Sequence, residues 1–461
     1  MENKMGVMPI KRLIITMSLP IMCSMLVQAL YNVVDSVFVA RLSEDALTAV
    51  TLAFPLQNLM IGVGAGTGVG VNAMLSRALG EKNFEKSDAA ANTGVLLAFL
   101  SGMVFLLVGL FGAEAFIKTQ TSDAVISEYG ATYLGIVCTF SVGLFFQICF
   151  ERLLQSTGKT VFSMMSQMTG AVVNIILDPV MIFGLFGCPA FGVAGAAYAT
   201  VIGQSAAAIL ALFLNLRHNR EITLKLSRIL RPKAEYIRRI YAVGVPSILM
   251  MAIGSVMTYC MNRILITFST TATAVFGAYF KLQSFFFMPV IGLNNGVIPV
   301  VAYNYGAGSR ERINQAISFA LRLAVTIMLI GLFIFETVPG TLLRLFDASE
   351  EMIVLGIPAM RIIALHFPIA AVCIVILSVF QALSVSYYSL FVSIGRQLVI
   401  LIPAAWLLSK LGRVNLIWLA FPIAETVSVT IALIFFKRVY GRIIQPLGAA
   451  PRTQPPTQPQ H

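Results

Sequence analysis

Three polar side chains lie inside long apolar segments, where ionisable groups are costly to insert. Asp35 is in the first such segment, and Asn174 and Asp178 are in the fifth. A charged side chain at the centre of a spanning helix costs roughly 2.5–3.5 kcal/mol on insertion scales, so each acid is a candidate functional residue. Carboxylate and amide oxygens suit a hard cation such as sodium, and a carboxylate also accepts a proton. These residues therefore indicate ion-binding chemistry.

The spacing of these residues favours a shared site, although structural roles stay open. Asn174 and Asp178 are four apart and stack on one helical face, and the fifth and sixth segments contain no lysine or arginine. Thr200, in the sixth segment, offers a hydroxyl, but a single threonine usually bonds its own backbone. The structural alternatives are that Asp35 is solvated at the outer helix end and that Asp178 caps the turn at 185–191.

The elements that position these residues are predicted from composition. Of 461 residues, 58% are hydrophobic and 11% are charged, against roughly 25% charged in a soluble domain. This excludes a soluble enzyme, a disordered chain and a coiled coil, and the apolar runs do not alternate as outer-membrane strands do. We predict an all-α polytopic membrane protein. Its twelve spans are expected near 13–40, 46–76, 89–116, 125–150, 160–184, 192–216, 240–267, 272–303, 314–338, 352–382, 387–409 and 415–436.

The distribution of lysine and arginine predicts the orientation. Of these residues, 21 fall in the leader, the even-numbered gaps and the C-terminus, against 5 in the odd-numbered gaps. Both termini are therefore expected in the cytoplasm, with the chain in the cytoplasmic membrane. The net charge of +12 reflects this loop topology, so we expect no nucleic-acid partner. The histidines and cysteines are scattered, so we expect no metal site and no cofactor beyond a coupling ion.

The second half of the chain repeats the first at one constant offset. At this offset Pro20 falls on Pro246, Gln57 on Gln283 and Gly80 on Gly306. Two six-helix lobes related by pseudo-two-fold symmetry are a transporter architecture, with a site at the repeat interface. The predicted domains are an N-terminal lobe at 1–216, a basic cytoplasmic linker at 217–239, a C-terminal lobe at 240–440 and a disordered cytoplasmic tail at 441–461.

Other charges within or near spans have no assigned role. Glu425 can pair with Arg396, which would be structural, and Glu151 beside Arg152 is expected to form a solvated pair. Lys281 has no acidic counterpart in the first half.

Several motifs together resemble one transporter family. They are LYNVVDSVFVARLSEDALTAVTLAFPL, NIILDPVMIFG, GVAGAAYATVIGQ, VVAYNYGAGSRERINQA, FQALS and AFPIAE. Their order and spacing are similar to those of multidrug and toxic compound extrusion (MATE) transporters, in particular the bacterial DinF-like and MepA-like members. That resemblance implies two six-helix bundles around a V-shaped cavity that faces each side of the membrane in turn.

The resemblance also implies roles for individual residues. A coupling-ion site is expected from Asp35, Asn174, Asp178 and Thr200. Substrate-cavity positions are expected from Gln28, Tyr31 and Asn32, which share a helical face with Asp35, and a helix bend is expected at Pro20. Glu151 departs from the family pattern, because related proteins often carry asparagine there.

The resulting hypothesis is a monomeric antiporter, not an enzyme, that exports cationic or aromatic amphiphiles in exchange for sodium or protons. The sequence does not choose between these two ions or name the natural substrate. The alternative is a flippase for a lipid-linked precursor of the same superfamily. A flippase needs arginine or lysine facing an anionic pyrophosphate, and the predicted spans of the first half contain none.

Overall fold

The computed structural model describes residues 3–344 and 349–447. Within those ranges the regular secondary structure is entirely helical, and ten helical segments are long and apolar enough to cross a membrane. Two bent helix pairs raise the number of described spans to twelve, which confirms the predicted fold class. Numbered in chain order, the spans are Ile10–Leu42, Glu44–Gly80, Phe84–Phe111, Ala124–Thr139 with Val142–Ser156, Thr160–Phe183, Val193–His218, Ala234–Leu265, Thr270–Gly306, Arg310–Thr337, Glu350–Ala364 with Phe367–Ala382, Tyr387–Ser409 and Val414–Ile444.

Several span ends differ from the sequence prediction by about five to eight residues, among them the two ends that flank the C-terminal lobe. Span 7 begins at Ala234, before the predicted start at 240, and its first turn includes the buried Tyr236. At the other end the last helix continues to Ile444, so residues 441–444 are helical, where a disordered tail was predicted. Residues 448–461 of that tail lie outside the described part of the chain.

Spans 4 and 10 are bent, for different reasons. Span 10 bends by 46° just before Pro368, where a proline bend is expected from the sequence. Span 4 bends by 47° between Thr139 and Val142 without a proline. At that break the Ser141 hydroxyl donates to the carbonyl of Gly102 in span 3 at 3.3 Å. The bend of span 4 is therefore not marked by a proline, and it coincides with a contact to span 3.

The spans form two lobes that meet mainly through spans 1 and 2 on one side and spans 7 and 8 on the other. In the N-terminal lobe (spans 1–6), span 5 packs on spans 1 and 6, and span 4 on spans 2, 3 and 6. In the C-terminal lobe (spans 7–12), span 10 packs on spans 8, 9 and 12. Across the lobes, span 1 lies against span 8 and span 2 against span 7. These two contacts exchange under the repeat, as pseudo-two-fold symmetry requires.

Glycines at repeat-equivalent positions allow the lobes to approach closely. A Cβ atom at Gly70 would collide with the carbonyl oxygen of Ile240, and one at Gly296 would collide with Ser18. Gly70 and Gly296 correspond to each other at the offset of the sequence repeat. The hydrophobic effect does not drive helices together inside a bilayer, so their association depends on close packing. Small residues allow the helix backbones to approach to a short distance.

Glycines also allow close contact at the C-terminal ends of spans 2 and 8. A Cβ atom at Gly80 would overlap the carbonyl oxygen of Tyr303, and one at Gly306 would overlap that of Arg77. The Arg77 guanidinium also lies over the Tyr305 ring, 4.6 Å from its centroid. The two lobes are therefore in tight contact at this end of the molecule.

The N-terminal segment, residues 3–8, joins the N-terminal lobe through Asn3. Its side-chain amide donates to the Thr157 carbonyl at 3.2 Å and to Glu221 Oε2 at 2.7 Å. Burial raises the pKa of the Glu221 carboxyl, against the opposing effect of Lys159. The segment is thus fixed to the loop after span 4 and to the linker.

The other end of the N-terminal segment is bound to the C-terminal lobe. Arg312, in span 9, donates from Nη2 to the carbonyl oxygens of Met5 and Met8, both at 2.9 Å. Its Nε donates to Asn304 Oδ1 at 2.9 Å, and Asn304 in turn donates to the Met5 carbonyl. The segment therefore bridges the two lobes on the side predicted to be cytoplasmic.

Candidate functional site

The acids of spans 1 and 5 meet inside the N-terminal lobe. Asp178 has no exposed surface, and Asp35 is half-buried with its Oδ1 atom enclosed and unpartnered among the described residues. The two carboxyl groups lie within hydrogen-bonding range of each other. Two ionised carboxylates repel at such a distance, so the contact needs a shared proton or an intervening cation.

Asn174 connects this acid pair to span 6. Its Nδ2 atom lies 3.4 Å from Asp178 Oδ1 and 3.4 Å from Thr200 Oγ1. With the oxygen and nitrogen of the amide exchanged, Nδ2 donates to Asp178 Oδ2 at 3.2 Å and Oδ1 accepts from the Thr200 backbone at 3.1 Å. Asn174 and Thr200 are both buried. The structure thus gathers all four residues predicted for the coupling-ion site.

The acid pair has no basic partner among the described residues. Ion pairs are found elsewhere, but none of them includes Asp35 or Asp178. Residues 160–216, which form spans 5 and 6, contain no lysine or arginine, and neither do residues 13–40 of span 1. A buried carboxylate without a counter-charge is costly, so this arrangement favours binding of an exchangeable cation.

The predicted cavity residues lie at different places around the pair. Tyr31 is close enough to both acids for electrostatic interaction. Gln28 accepts a hydrogen bond from Gln167 Nε2 at 2.9 Å, which ties span 1 to span 5. Asn32 is exposed and stays outside this cluster.

Two further residues near the acids are missing from the sequence prediction. Tyr133, in the first half of span 4, is 2% exposed and within electrostatic range of Asp35 and Asp178. It makes a side-chain hydrogen bond with Gln57 of span 2. Gln57 carried a signal, since it recurs at the repeat offset, but Tyr133 has no spacing pattern that distinguishes it from a core tyrosine.

Pro20 lies within a helix that continues through it from Ile10 to Leu42. Proline has no N–H, so the carbonyl of Thr16, four residues earlier, loses its helical partner. The hydroxyl of Thr160, the first residue of span 5, donates to that carbonyl at 3.2 Å. The predicted bend point is therefore braced by the same helix that carries Asp178.

The family comparison agrees with this two-lobed arrangement. The family model described as MatE matches the chain twice, over residues 20–180 and 246–407. The two matches begin at Pro20 and Pro246, which are equivalent positions of the sequence repeat. The chain belongs to the MatE family. Proteins of this family are membrane transporters, and the chain is accordingly a multi-pass membrane protein.

Curated MATE relatives cover almost the whole chain. The chain is 25% identical to the multidrug export protein MepA of Staphylococcus haemolyticus (strain JCSC1435) over 430 residues, 92% of this chain and 93% of that protein. It is 25% identical to the probable multidrug resistance protein YoeA of Bacillus subtilis (strain 168), covering 92% of each. It is 27% identical to an FAD transporter of Shewanella oneidensis, covering 92% of this chain and 94% of that protein.

Solved MATE structures share the fold. A crystal structure of MATE in complex with MaL6 matches with a TM-score of 0.90 at 23% identity, covering 95% of this chain and 98% of that chain. An outward-facing conformation of a multidrug resistance MATE family transporter matches with a TM-score of 0.89 at 24% identity, covering 96% and 98%.

Glu151, the departure from the MATE pattern, is buried rather than solvated. The sequence predicted a solvated pair with Arg152, but Glu151 is 7% exposed and Arg152 is 8% exposed. The two side chains leave the helix in different directions: Glu151 accepts from Ser166, and Arg152 donates to Gln155 Oε1 at 3.0 Å. The prediction was wrong because neighbours in a helix do not face each other. Arg152 also places a buried base in the first half, where none was expected.

The C-terminal lobe contains a closed ion pair. Arg396 Nη1 lies 3.4 Å from both oxygens of Glu425, as predicted, and the Glu425 side chain is 5% exposed. Lys281 is exposed. His366 is buried, with Nδ1 2.5 Å from the carbonyl of Ile363. Among the described residues no group of three or more histidine, cysteine, aspartate or glutamate side chains could hold a metal ion.

Proposed function

We propose that this MATE transporter is a cation-coupled antiporter that exports cationic amphiphilic compounds across the cytoplasmic membrane. Asp35 and Asp178 bind sodium or a proton, and Asn174 and Thr200 supply neutral oxygen ligands. The observation that supports this proposal is the contact of a buried carboxyl group, Asp178, with a half-buried one, Asp35, with no basic partner among the described residues. Such a pair takes up positive charge from one side of the membrane and releases it to the other.

The coupling step follows from where the acids lie. Cation binding removes the repulsion between Asp35 and Asp178 and draws spans 1 and 5 together. A shift of span 1 changes its geometry around Pro20, where the Thr160 hydroxyl holds the freed carbonyl. A ligand drives the cycle only through unequal affinity for the two carrier states. We propose that the cation favours the state that releases substrate.

The proposed orientation places both termini in the cytoplasm. The excess of lysine and arginine on one side supports it. The tight contacts at Gly80 and Gly306 and the bridging N-terminal segment are on that same side. Together they support a cytoplasmically closed state whose substrate cleft opens outward. Because the site and both lobes come from one chain, a monomer is the proposed transporting unit.

The substrate class is proposed from charge and relatives. The acid pair suits cationic compounds, and two relatives are named as multidrug proteins. One relative is named as an FAD transporter. Because FAD is anionic, it should be tested as a substrate beside the cationic compounds. A lipid-linked pyrophosphate is the other anionic candidate. Transport of either anion, with no transport of ethidium, would contradict the proposed substrate class.

Purified protein in liposomes tests the proposal directly. Ethidium counterflow is measured under an imposed sodium gradient and, separately, under a pH gradient. We expect Asp35→Asn and Asp178→Asn each to lower gradient-driven transport at least about tenfold, equivalent to ~1.4 kcal/mol. Asp45→Asn, which neutralises an exposed acid at the start of span 2, is the matched control and should transport normally. Normal transport by Asp178→Asn would reject the site.

A further inference from the structure

Glu151 forms a second buried polar cluster that the acid pair does not include. Its Oε1 atom accepts hydrogen bonds from Gln147 Nε2 at 3.1 Å and from Ser166 Oγ at 3.2 Å. The Ser166 hydroxyl also lies 2.9 Å from the carbonyl of Ala207 in span 6. Spans 4, 5 and 6 therefore enclose one carboxyl group between them.

No base forms an ion pair with this carboxyl group in the described part of the chain, although Arg152 lies within electrostatic range of it. Arg152, next to it in sequence, turns toward Gln155 and the backbone of Gly68 in span 2. The stretches of neighbouring helices that pack around span 4 contain no titratable residue, namely 62–76, 89–111, 160–177 and 199–216. In span 4 the titratable neighbours are Cys149 and Arg152. A buried carboxylate that no base contacts directly favours the uptake of a proton or a bound cation.

The ligands available at Glu151 suit a proton. Besides the two carboxylate oxygens, the cluster offers the Ser166 hydroxyl and the Gln147 Oε1 atom, which is buried without a hydrogen-bond partner among the described residues. Hard metal cations are usually held by about six oxygen ligands. A proton needs one acceptor oxygen and only the local hydrogen bonds that are already present.

The Glu151 cluster and the acid pair lie at different depths along span 5. Ser166 precedes Asp178 by twelve residues in the same helix, a separation of about 18 Å at roughly 1.5 Å per residue. Ser166 is also nearer the start of span 5, on the side predicted to be cytoplasmic. Glu151 thus lies between the acid pair and the cytoplasmic ends of the spans.

We propose that Glu151, held by Gln147 and Ser166, is a second proton-binding site of the transport cycle, on the cytoplasmic side of the acid pair. The inference rests on the proposed antiport and adds a residue to it. Only an O–H bond forms and breaks: one carboxyl oxygen of Glu151 takes a proton in one carrier state and releases it to the cytoplasm in the other.

Proton release on substrate binding tests this inference. Ethidium is added to the purified full-length protein in weakly buffered detergent solution, and a pH-sensitive dye measures the protons released. We expect Glu151→Gln to lose part of the release and to slow ethidium export driven by a pH gradient, while Glu151→Asp keeps both. Ethidium binding and thermal unfolding of the variants establish that the protein is folded. Glu85→Gln, at an exposed acid in the first turn of span 3, is the matched control.

The outcomes separate this inference from the proposed function. If Asp178→Asn abolishes proton release while Glu151→Gln matches the unmodified protein, the second site is wrong and the antiport proposal stands. If the unmodified protein releases no protons, the second site is also wrong, whichever ion drives exchange. If Glu151→Gln does not fold, Gln147→Leu removes one donor to the carboxylate and must move the pH midpoint of release; an unchanged midpoint would overturn the inference.

Discussion

The acids of the two lobes have different charge partners, although the two lobes are repeats of each other in sequence. In the N-terminal lobe, Asp35 and Asp178 face each other without a base among the described residues. In the C-terminal lobe, Glu425 faces Arg396, with both of its oxygens 3.4 Å from one guanidinium nitrogen. The first arrangement requires a charge from outside the protein, while the second is neutral by itself. The N-terminal lobe is therefore the half suited to exchanging a cation.

This difference shows that a repeat preserves packing more readily than charge. The glycines that bring the lobes together recur at the repeat offset, Gly70 with Gly296 and Gly80 with Gly306, and each approaches the backbone of the other lobe. The acids do not recur in this way. The helices are thus symmetric, whereas the pair of acids without a base occurs in one lobe only, and variants can test each property separately.

The largest stability effect is expected from opening the C-terminal ion pair. Arg396→Met leaves Glu425 buried without its partner, which should cost about 3 kcal/mol of unfolding free energy, the low end of the range because Arg396 is partly exposed. Chemical denaturation in detergent measures the change. The double variant Arg396→Met with Glu425→Gln should recover most of the loss, since no unpaired charge remains. A double variant as unstable as the single one would contradict the ion-pair interpretation.

A smaller effect is expected at the symmetric glycine contacts. Gly80→Ala and Gly306→Ala each place a methyl group against a backbone carbonyl of the facing helix, which should cost about 1–3 kcal/mol through overpacking. Symmetry predicts similar losses from the two variants, measured by thermal unfolding. Gly277→Ala is the control, because no neighbouring atom lies within 4 Å of a Cβ atom there. Clearly unequal losses at 80 and 306 would show that these contacts between the lobes are less symmetric than the repeat.

The smallest effect is expected at Thr160, which bonds the carbonyl freed by Pro20, and at its repeat equivalent. Thr160→Val removes the hydroxyl that bonds the carbonyl freed by Pro20, which should cost about 1 kcal/mol of stability. The repeat-equivalent residue, Ser386, is buried, and its hydroxyl has no hydrogen-bond partner in the described ranges. Ser386→Ala should therefore be close to neutral. Equal destabilisation by the two variants, measured in parallel unfolding curves, would remove this distinction between the lobes.

The sequence predicts the fold well because spans are defined by local composition. A run of apolar residues long enough to cross the bilayer forms a helix wherever it lies. The contact between Asn174 and Asp178 is equally local, since residues four apart lie on the same face of a helix. The meeting of Asp35 with Asp178 needs two helices to pack, and the motif resemblance supplied that expectation.

The surroundings of the site depend on packing and are harder to predict. Glu151 and Arg152 are adjacent in sequence, which suggests a pair, yet their side chains enter different helix interfaces. Tyr133 lies near the acids of spans 1 and 5 without any pattern in its own segment that indicates this position. These features depend on how the helices pack against one another, and no single segment encodes them.

The hydrogen bonds between Arg312 and the N-terminal segment limit how this segment can vary between related chains. Their acceptors are the main-chain carbonyls of Met5 and Met8, which any amino acid supplies. Substitutions at Met8 therefore leave the bridge in place, whereas Met5 is also held by its fully buried side chain. An insertion or deletion between Met5 and the start of span 1 at Ile10 would move one or both carbonyls away from the guanidinium. The spacing between these carbonyls and span 1 is therefore more constrained than the residue type at position 8.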